Sequence, residues 1–379
     1  MKVAVVGMIY SKNLGDGVIY QSLKELLEKS GVTVVPLDTA GLREFSLSEE
    51  KYSKKSFKTK IMNFSPLTYR LATLFTSNVK RRAYNNYAEN IIKSSDAVII
   101  GGGQLITNFT ETLPTRLLDI AKICKKYNKP YSIYGCGVGT KFTKSGIVKY
   151  TELISGASYV SVRGENSKDR LITLFNADNV NVVPDPVYGL VRNTKTSDEK
   201  KVGICYQDIL SLGMHDENFS KLGKGGLDKI LATTIEHLNL KGIQCCVFTN
   251  GDKLDFDYAY EFYKTYGEKL GFEFAARPKT PSELIDLIGG FSHVLSFRMH
   301  GAIIAHALNK PTLNIVWDKK IEEVWAAIGS ETHTLSSNDF LDEAEFLTRL
   351  EIWLGSGVEN KTTHSMSERN LKKCLDRMR

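Results

Sequence analysis

Short apolar runs that stop at glycine-rich or charged loops and pass into amphipathic segments recur along this chain. That repetition restricts the fold more than any other feature. Val3 to Gly7 leads into Asn13-Leu14-Gly15-Asp16-Gly17, after which Val18, Ile19, Leu23, Leu26 and Leu27 follow the 3.6-residue helical period. Asp96 to Ile100 ends on Gly101-Gly102-Gly103, and Tyr131 to Tyr134 ends on Gly135-Cys136-Gly137-Val138-Gly139. Val32 to Leu37, Ser158 to Arg163 and Val180 to Val183 read as further strands, the last stopping at Pro184-Asp185-Pro186. Strands that are apolar throughout, rather than alternating, are covered on both faces. The pattern therefore predicts parallel sheets with helices on each side.

A polar stretch from Arg192 to Lys201 interrupts the alternation, which then restarts. Val202 to Cys205, Ile243 to Thr249, Phe272 to Ala275, His293 to Phe297 and Thr312 to Val316 read as strands. Helical segments at Leu227 to Leu240, Asp255 to Leu270, Ser282 to Leu287 and Ala302 to Leu308 lie between them. The expected architecture is α/β, with two Rossmann-like, doubly wound domains facing a central cleft. Their expected bounds are 1–191 and 202–355, with 192–201 as a linker and 356–379 as a helical extension. A ligand is expected in the cleft, outside the carboxyl ends of the strands.

Size and composition agree with two cores. At 379 residues, 42% hydrophobic and 25% charged, the chain suits two ordinary globular domains. No apolar run is long enough to span a bilayer. The chain opens directly on a strand without a secretion leader, and its six cysteines form no CxxC pair, so a cytoplasmic, reduced protein is expected. The net charge of +7 is uneven. Residues 51–93 hold ten basic side chains against Glu89, with Phe57, Ile61, Leu67 and Leu71 interspersed. Such a basic amphipathic insertion suits an anionic membrane surface, and equally a solvated helix packed on its own domain. It matches no nucleic-acid-binding module, and no nucleic-acid partner is expected.

Several strand ends carry candidate chemistry. Arg298 and His300, in Ser296-Phe297-Arg298-Met299-His300-Gly301, fall where a strand stops and a helix begins. A guanidinium beside free helix N–H groups suits a phosphate or carboxylate. The imidazole can exchange a proton near neutral pH. Arg163 is a second strand-end cation, with Ser167 as a candidate helix cap and Asp185 at the next strand end. Asn13 and Asp16 precede the first helix, where an Asp also serves simply as a cap. Either glycine loop exposes N–H groups to an anion or makes a tight turn. Neither has GxGxxG spacing, and no acidic residue some twenty positions on completes a ribose clamp, which disfavours a dehydrogenase. No P-loop, GxSxG or metal-binding spacing is present, and no metal is expected.

Taken in order, Asn13-Leu14-Gly15-Asp16, Gly101-Gly102-Gly103, Ser161-Val162-Arg163 with Ser167, Asp185-Pro186, Arg298-Met299-His300-Gly301 with Ala305 and Pro311, and Trp317-Asp318-Lys319-Lys320 resemble the polysaccharide pyruvyl transferase family over roughly residues 1–325. The resemblance implies a GT-B-like arrangement. It also implies transfer of pyruvate from phosphoenolpyruvate, a co-substrate rather than a cofactor, to a sugar of a cell-surface polysaccharide or its polyprenyl-diphosphate-linked precursor. A ketal forms and phosphate leaves. On this resemblance Arg163, Arg298, Met299, Gly301 and Lys320 hold phosphoenolpyruvate, and His300 is catalytic; the chemistry also needs a second acid or base, for which Asp16 and Asp185 are the candidates. Asn13, Gly15, Gly101, Gly102, Gly103 and Asp185 line the cleft or its acceptor side, placed in the first domain. Three positions depart from the family pattern: Met299 for Leu, Gly164 for an acidic residue, and Trp317 for Tyr. A lipid-linked acceptor would give residues 51–93 a purpose, holding the enzyme at the inner face of the plasma membrane. The alternatives are a GT-B glycosyltransferase using a nucleotide sugar and a non-catalytic binding protein of the same fold.

Overall fold

A computed structural model describes residues 1–45, 66–108, 110–190, 192, 200–330, 333–358 and 360–379, with the side chains of 66–77 and 361 excepted. Most of the expected linker and the first part of the basic insertion, 51–65, lie outside the described residues.

Two parallel six-stranded sheets organise the molecule. The first comprises β1 (Lys2–Gly7), β2 (Thr33–Asp38), β3 (Ala97–Gly101), β4 (Tyr131–Cys136), β5 (Tyr159–Val162) and β6 (Asn181–Val182), in the order β2-β1-β3-β4-β5-β6. The second comprises β7 (Lys201–Cys205), β8 (Gln244–Phe248), β9 (Glu273–Phe274), β10 (His293–Ser296), β11 (Thr312–Val316) and β12 (Thr334–Ser336), in the order β12-β11-β10-β7-β8-β9. The central strands β3 and β4 are buried at every residue, as sheets covered on both faces require. The architecture is the expected pair of α/β halves.

One apolar core does not stop at the domain boundary. It runs from Val3, Val5 and Leu23 under the first sheet through Val187 and Tyr188 into Ile204, Phe248 and Leu295 of the second half. A separate core, with Val98, Ile100 and Leu117, fills the other face of the first sheet. The final helix, Lys361–Asp376, crosses back from the second half and helps to close the shared core with Leu371 and Cys374. The hydroxyl of Tyr134 donates to the Ser367 carbonyl at 3.3 Å, and the ring nitrogens of His364 lie 2.7 and 3.1 Å from the carbonyl oxygens of Tyr188 and Ala307. The C-terminal helix, whose docking place the sequence does not show, is thus a strap across both halves.

Some local readings needed tertiary information. The helix expected from Leu227 begins at Glu217 and kinks at Gly223, whose φ is +64°. Of the basic segment, Pro66–Lys93 is one helix. Its described side chains turn Tyr84, Ala88 and Ile92 into the core of their own half. Arg81 forms two 2.6 Å hydrogen bonds to Asp119, whereas Lys80 and Arg82 stay exposed. Among the described residues no helix is long and apolar enough to cross a membrane.

Candidate active site

The cleft between the halves encloses a cavity of about 340 Å³, within the range typical of small-molecule sites. Several chain segments distant in sequence supply its polar wall, among them the start of the first helix, the end of β5, and the turn from β10 into the next helix.

Asn13 caps helix Leu14–Lys29, its Oδ1 accepting the Gly15 N–H at 3.2 Å. This relieves Asp16 of capping duty, and Asp16 faces the cleft from the first turn. Burial raises its carboxyl to about 6, although Arg163, Arg298 and a bond from Ser11 favour the charged form. Gly15 sits against the other half. A Cβ there would lie 2.6 Å from His300 Cβ, so only glycine lets the helix start touch that histidine.

Arg163, at the end of β5, is 4% exposed and forms a 2.7 Å ion pair from Nη1 to Asp185 Oδ2. Asp185 also accepts the Val187 N–H at 3.0 Å, so its geometry is set from both sides. The same Arg163 Nη1 lies 3.4 Å from His300 Nε2, across the boundary between the halves. Burial drives His300 down to about 4. The cations Arg163 and Lys320 reinforce the shift, and Asp185 opposes it. His300 is therefore a neutral imidazole beside a guanidinium at neutral pH.

Arg298 is the N-cap residue of helix Met299–Ala307. Its Nε and Nη2 each donate at 2.7 Å to Asp255, which is buried and also accepts the Asp208 N–H at 3.0 Å. Burial raises Asp255 to about 6, opposed chiefly by Arg298. Among the described residues no hydrogen bond engages Nη1 of Arg298, a residue that lines the cavity. Lys320 stands 4.7 Å over the Trp317 ring and 3.2 Å from Asp318, and burial lowers its pKa.

Asn13, Asp16, Arg163, Arg298, Met299, His300 and Lys320 thus converge on one cavity, with Asp185 beneath Arg163. Gly301 packs behind the site instead, toward Ser296 and Cys205. Gly101, Gly102 and Gly103, expected as cleft-lining, are not part of the cavity wall; Gln104 and Thr107, just beyond them, are. Gly102 takes φ +75°, and a Cβ there would overlap Ile19, so that glycine lets the first helix close on the sheet. Ser167 is not the helix cap either, because helix Glu165–Phe175 starts two residues earlier. Its backbone N–H instead donates to Oε1 of Glu323, from the other half, at 2.6 Å, and the Glu323 side chain passes over Gly164, where a Cβ would overlap it. Sequence reasoning missed Asp255, Glu323 and Asn250, since each meets the motif residues only through folding. Among the described residues no cluster of three or more His, Cys, Asp or Glu could hold a metal ion.

Solved structures with similar folds include the UDP-GlcNAc 2-epimerase from Methanocaldococcus jannaschii, at TM-score 0.57 and 11% identity over 99% of this chain and 100% of that one. The UDP-GlcNAc 2-epimerase from Neisseria meningitidis bound to UDP-GlcNAc aligns at TM-score 0.52 and 12% identity, over 99% of this chain and 100% of that one. These likenesses establish a GT-B-like fold and nothing about chemistry. No curated protein matches the chain. The sequence profile of the polysaccharide pyruvyl transferase family matches residues 13–319, most of the chain, including Asn13, Asp16, Arg163, Asp185, Arg298 and His300. The chain therefore belongs to the polysaccharide pyruvyl transferase family.

Proposed function

We propose that the protein moves the pyruvyl group of phosphoenolpyruvate onto two hydroxyls of one sugar, making a cyclic ketal and releasing phosphate. The observation that carries this reading is the approach of Arg163 to His300, which joins an anion-binding cation from one half to a proton-transfer group from the other. Phosphoenolpyruvate is a small, highly charged anion. Fixed cations and a helix N-terminus suit it, and Arg163, Arg298 and Lys320 surround the start of helix Met299–Ala307.

The shifted groups divide the proton work. Asp16, raised to about 6, is the acid that protonates C3 of the enol, leaving an oxocarbenium-like C2. Neutral His300 takes the proton of the first sugar hydroxyl as its oxygen bonds to C2, then passes it to phosphate as the C2–O bond breaks. The second hydroxyl closes the ketal and returns its proton to the Asp16 carboxylate. The arginines stabilise charge on the departing phosphate.

The sugar belongs to a polysaccharide or to its polyprenyl-diphosphate-linked precursor. With the lipid-linked acceptor, the basic segment 51–93 holds the enzyme to anionic lipid at the inner leaflet. Flotation on vesicles with and without anionic lipid tests that point, and equal binding to both rejects it. Calorimetric titration with phosphoenolpyruvate tests the donor, with uridine diphosphate as the competing ligand. Binding of phosphoenolpyruvate is expected; binding of uridine diphosphate alone would favour a nucleotide-sugar transferase instead.

A further inference from the structure

A set of buried polar side chains without hydrogen-bond partners lies behind Arg298. Gln207 leaves both Nε2 and Oε1 unpaired, and Asp208 Oδ2, Thr249 Oγ1 and Asn250 Nδ2 also lack a hydrogen bond among the described residues. None of the four residues is more than 2% exposed. Cys205 of β7 pairs with Phe248 of β8, so the segments carrying these side chains leave the sheet side by side, at its carboxyl edge. They are tied together there. Cys205 Sγ donates to Asn250 Oδ1 at 3.3 Å, and Arg298 Nη2 stands 3.9 Å from Asp208 Oδ2. Asn250 itself lines the cleft.

Unpaired buried polar atoms are costly, and several at one strand end point to a ligand that completes them. Their chemistry is mixed. The amides of Gln207 and Asn250 offer N–H groups, Gln207 Oε1 and Asp208 Oδ2 accept, and Thr249 does both. A phosphate or carboxylate only accepts, and Asp208 would repel it. A sugar hydroxyl both donates and accepts. We infer that this cluster is a hydroxyl-binding subsite for the acceptor sugar, an inference that rests on the transfer reading above. It moves the acceptor from the first half, where the sequence placed it, to the second. Leu14 of the first half meets this strand end, its N–H donating to the Asn250 carbonyl at 3.0 Å and its side chain against Gly251.

The test uses the full chain and two near-isosteric variants, Gln207→Met and Thr249→Val. Saturation-transfer NMR with methyl glucoside, galactoside, mannoside and N-acetylglucosaminide reads the subsite. Calorimetry with phosphoenolpyruvate reads the donor site in the same preparation. At least one glycoside is expected to bind, about tenfold more weakly in each variant, with phosphoenolpyruvate affinity unchanged. The variants should also melt at higher temperature, because each replaces an unpaired buried polar group. A structural cluster satisfied by trapped water predicts lower melting temperatures and glycoside binding that is absent or indifferent to the variants; that result overturns the inference. Phosphoenolpyruvate binding without any glycoside signal overturns the subsite alone. Glycoside binding that depends on Gln207, with no phosphoenolpyruvate binding, keeps the subsite and removes the donor assignment.

Discussion

Glu323 reaches from the second half to the backbone N–H of Ser167 in the first, at 2.6 Å, across the bare Cα of Gly164. The Glu323 side chain crosses Gly164, the residue next to Arg163, so it ties the position of a cleft cation to closure of the two halves. A carboxylate does stand beside Arg163's chain neighbour, but it arrives from another element.

Gly164→Ala should therefore cost about 1–3 kcal/mol, the usual range for overpacking a tight site. Most of that cost should vanish in a Glu323→Ala background, since the clash is with that side chain. Denaturant melts of both single variants and the double variant give the coupling. Additive effects would show that Glu323 is not what excludes a side chain at residue 164.

His300→Gln should lower kcat by roughly 10²–10⁴-fold, the range for loss of a general acid or base. Phosphoenolpyruvate affinity should change little, because Arg163, Arg298 and Lys320 remain. Phosphate release and calorimetry on the same variant separate the two effects. Near-normal turnover would remove His300 from the chemistry.

The paired shifts at His300 and Asp16 set a pH profile. A base depressed to about 4 and an acid raised to about 6 predict that kcat/KM falls below the first value and above the second. A bound anion raises both groups, so the kcat profile should sit at higher pH than the kcat/KM profile. Phosphate-release kinetics across pH measure both. In Asp16→Asn the alkaline limb should disappear along with most of the rate.

Asp255→Asn should loosen Arg298, whose Nε and Nη2 both rest on that carboxylate. Phosphoenolpyruvate affinity should drop while the Arg163–Asp185 pair stays intact. Arg298→Ala is a harsher change, because it leaves Asp255 buried and unpaired at a cost of about 3–5 kcal/mol. Calorimetry alongside thermal melts distinguishes lost binding from lost stability.

Acid should destabilise the second half through histidines that no catalytic step uses. Burial depresses His306 to about 3, with His333 and His364 adding to the effect, and also lowers His333. Below about pH 6.5, the ordinary value for histidine, the unfolded chain binds protons that the native state excludes. Stability from these groups is complete above that value and declines as pH falls toward about 3. Melting temperature measured against pH should show the loss, and His306→Gln should flatten it.

Local sequence determined the elements. Apolar runs that end at Gly101-Gly102-Gly103 or Arg298-Met299-His300-Gly301 can form only strands buried on both faces and helices opening at their carboxyl ends. The order of those units placed the cleft. The motif order pointed to the family, and the arginines, His300, Asp16 and Lys320 were legible because motif chemistry sits at strand ends. Their partners were not legible. Asp255 lies 43 residues from Arg298 and Glu323 lies 156 from Ser167, and neither carries a signal of its own. Only tertiary structure decided that Gly102 serves helix packing, that the last helix straps both halves, and that burial holds the His300 imidazole neutral. Burial and long-range charge set those outcomes, and both depend on distances that a linear pattern does not contain.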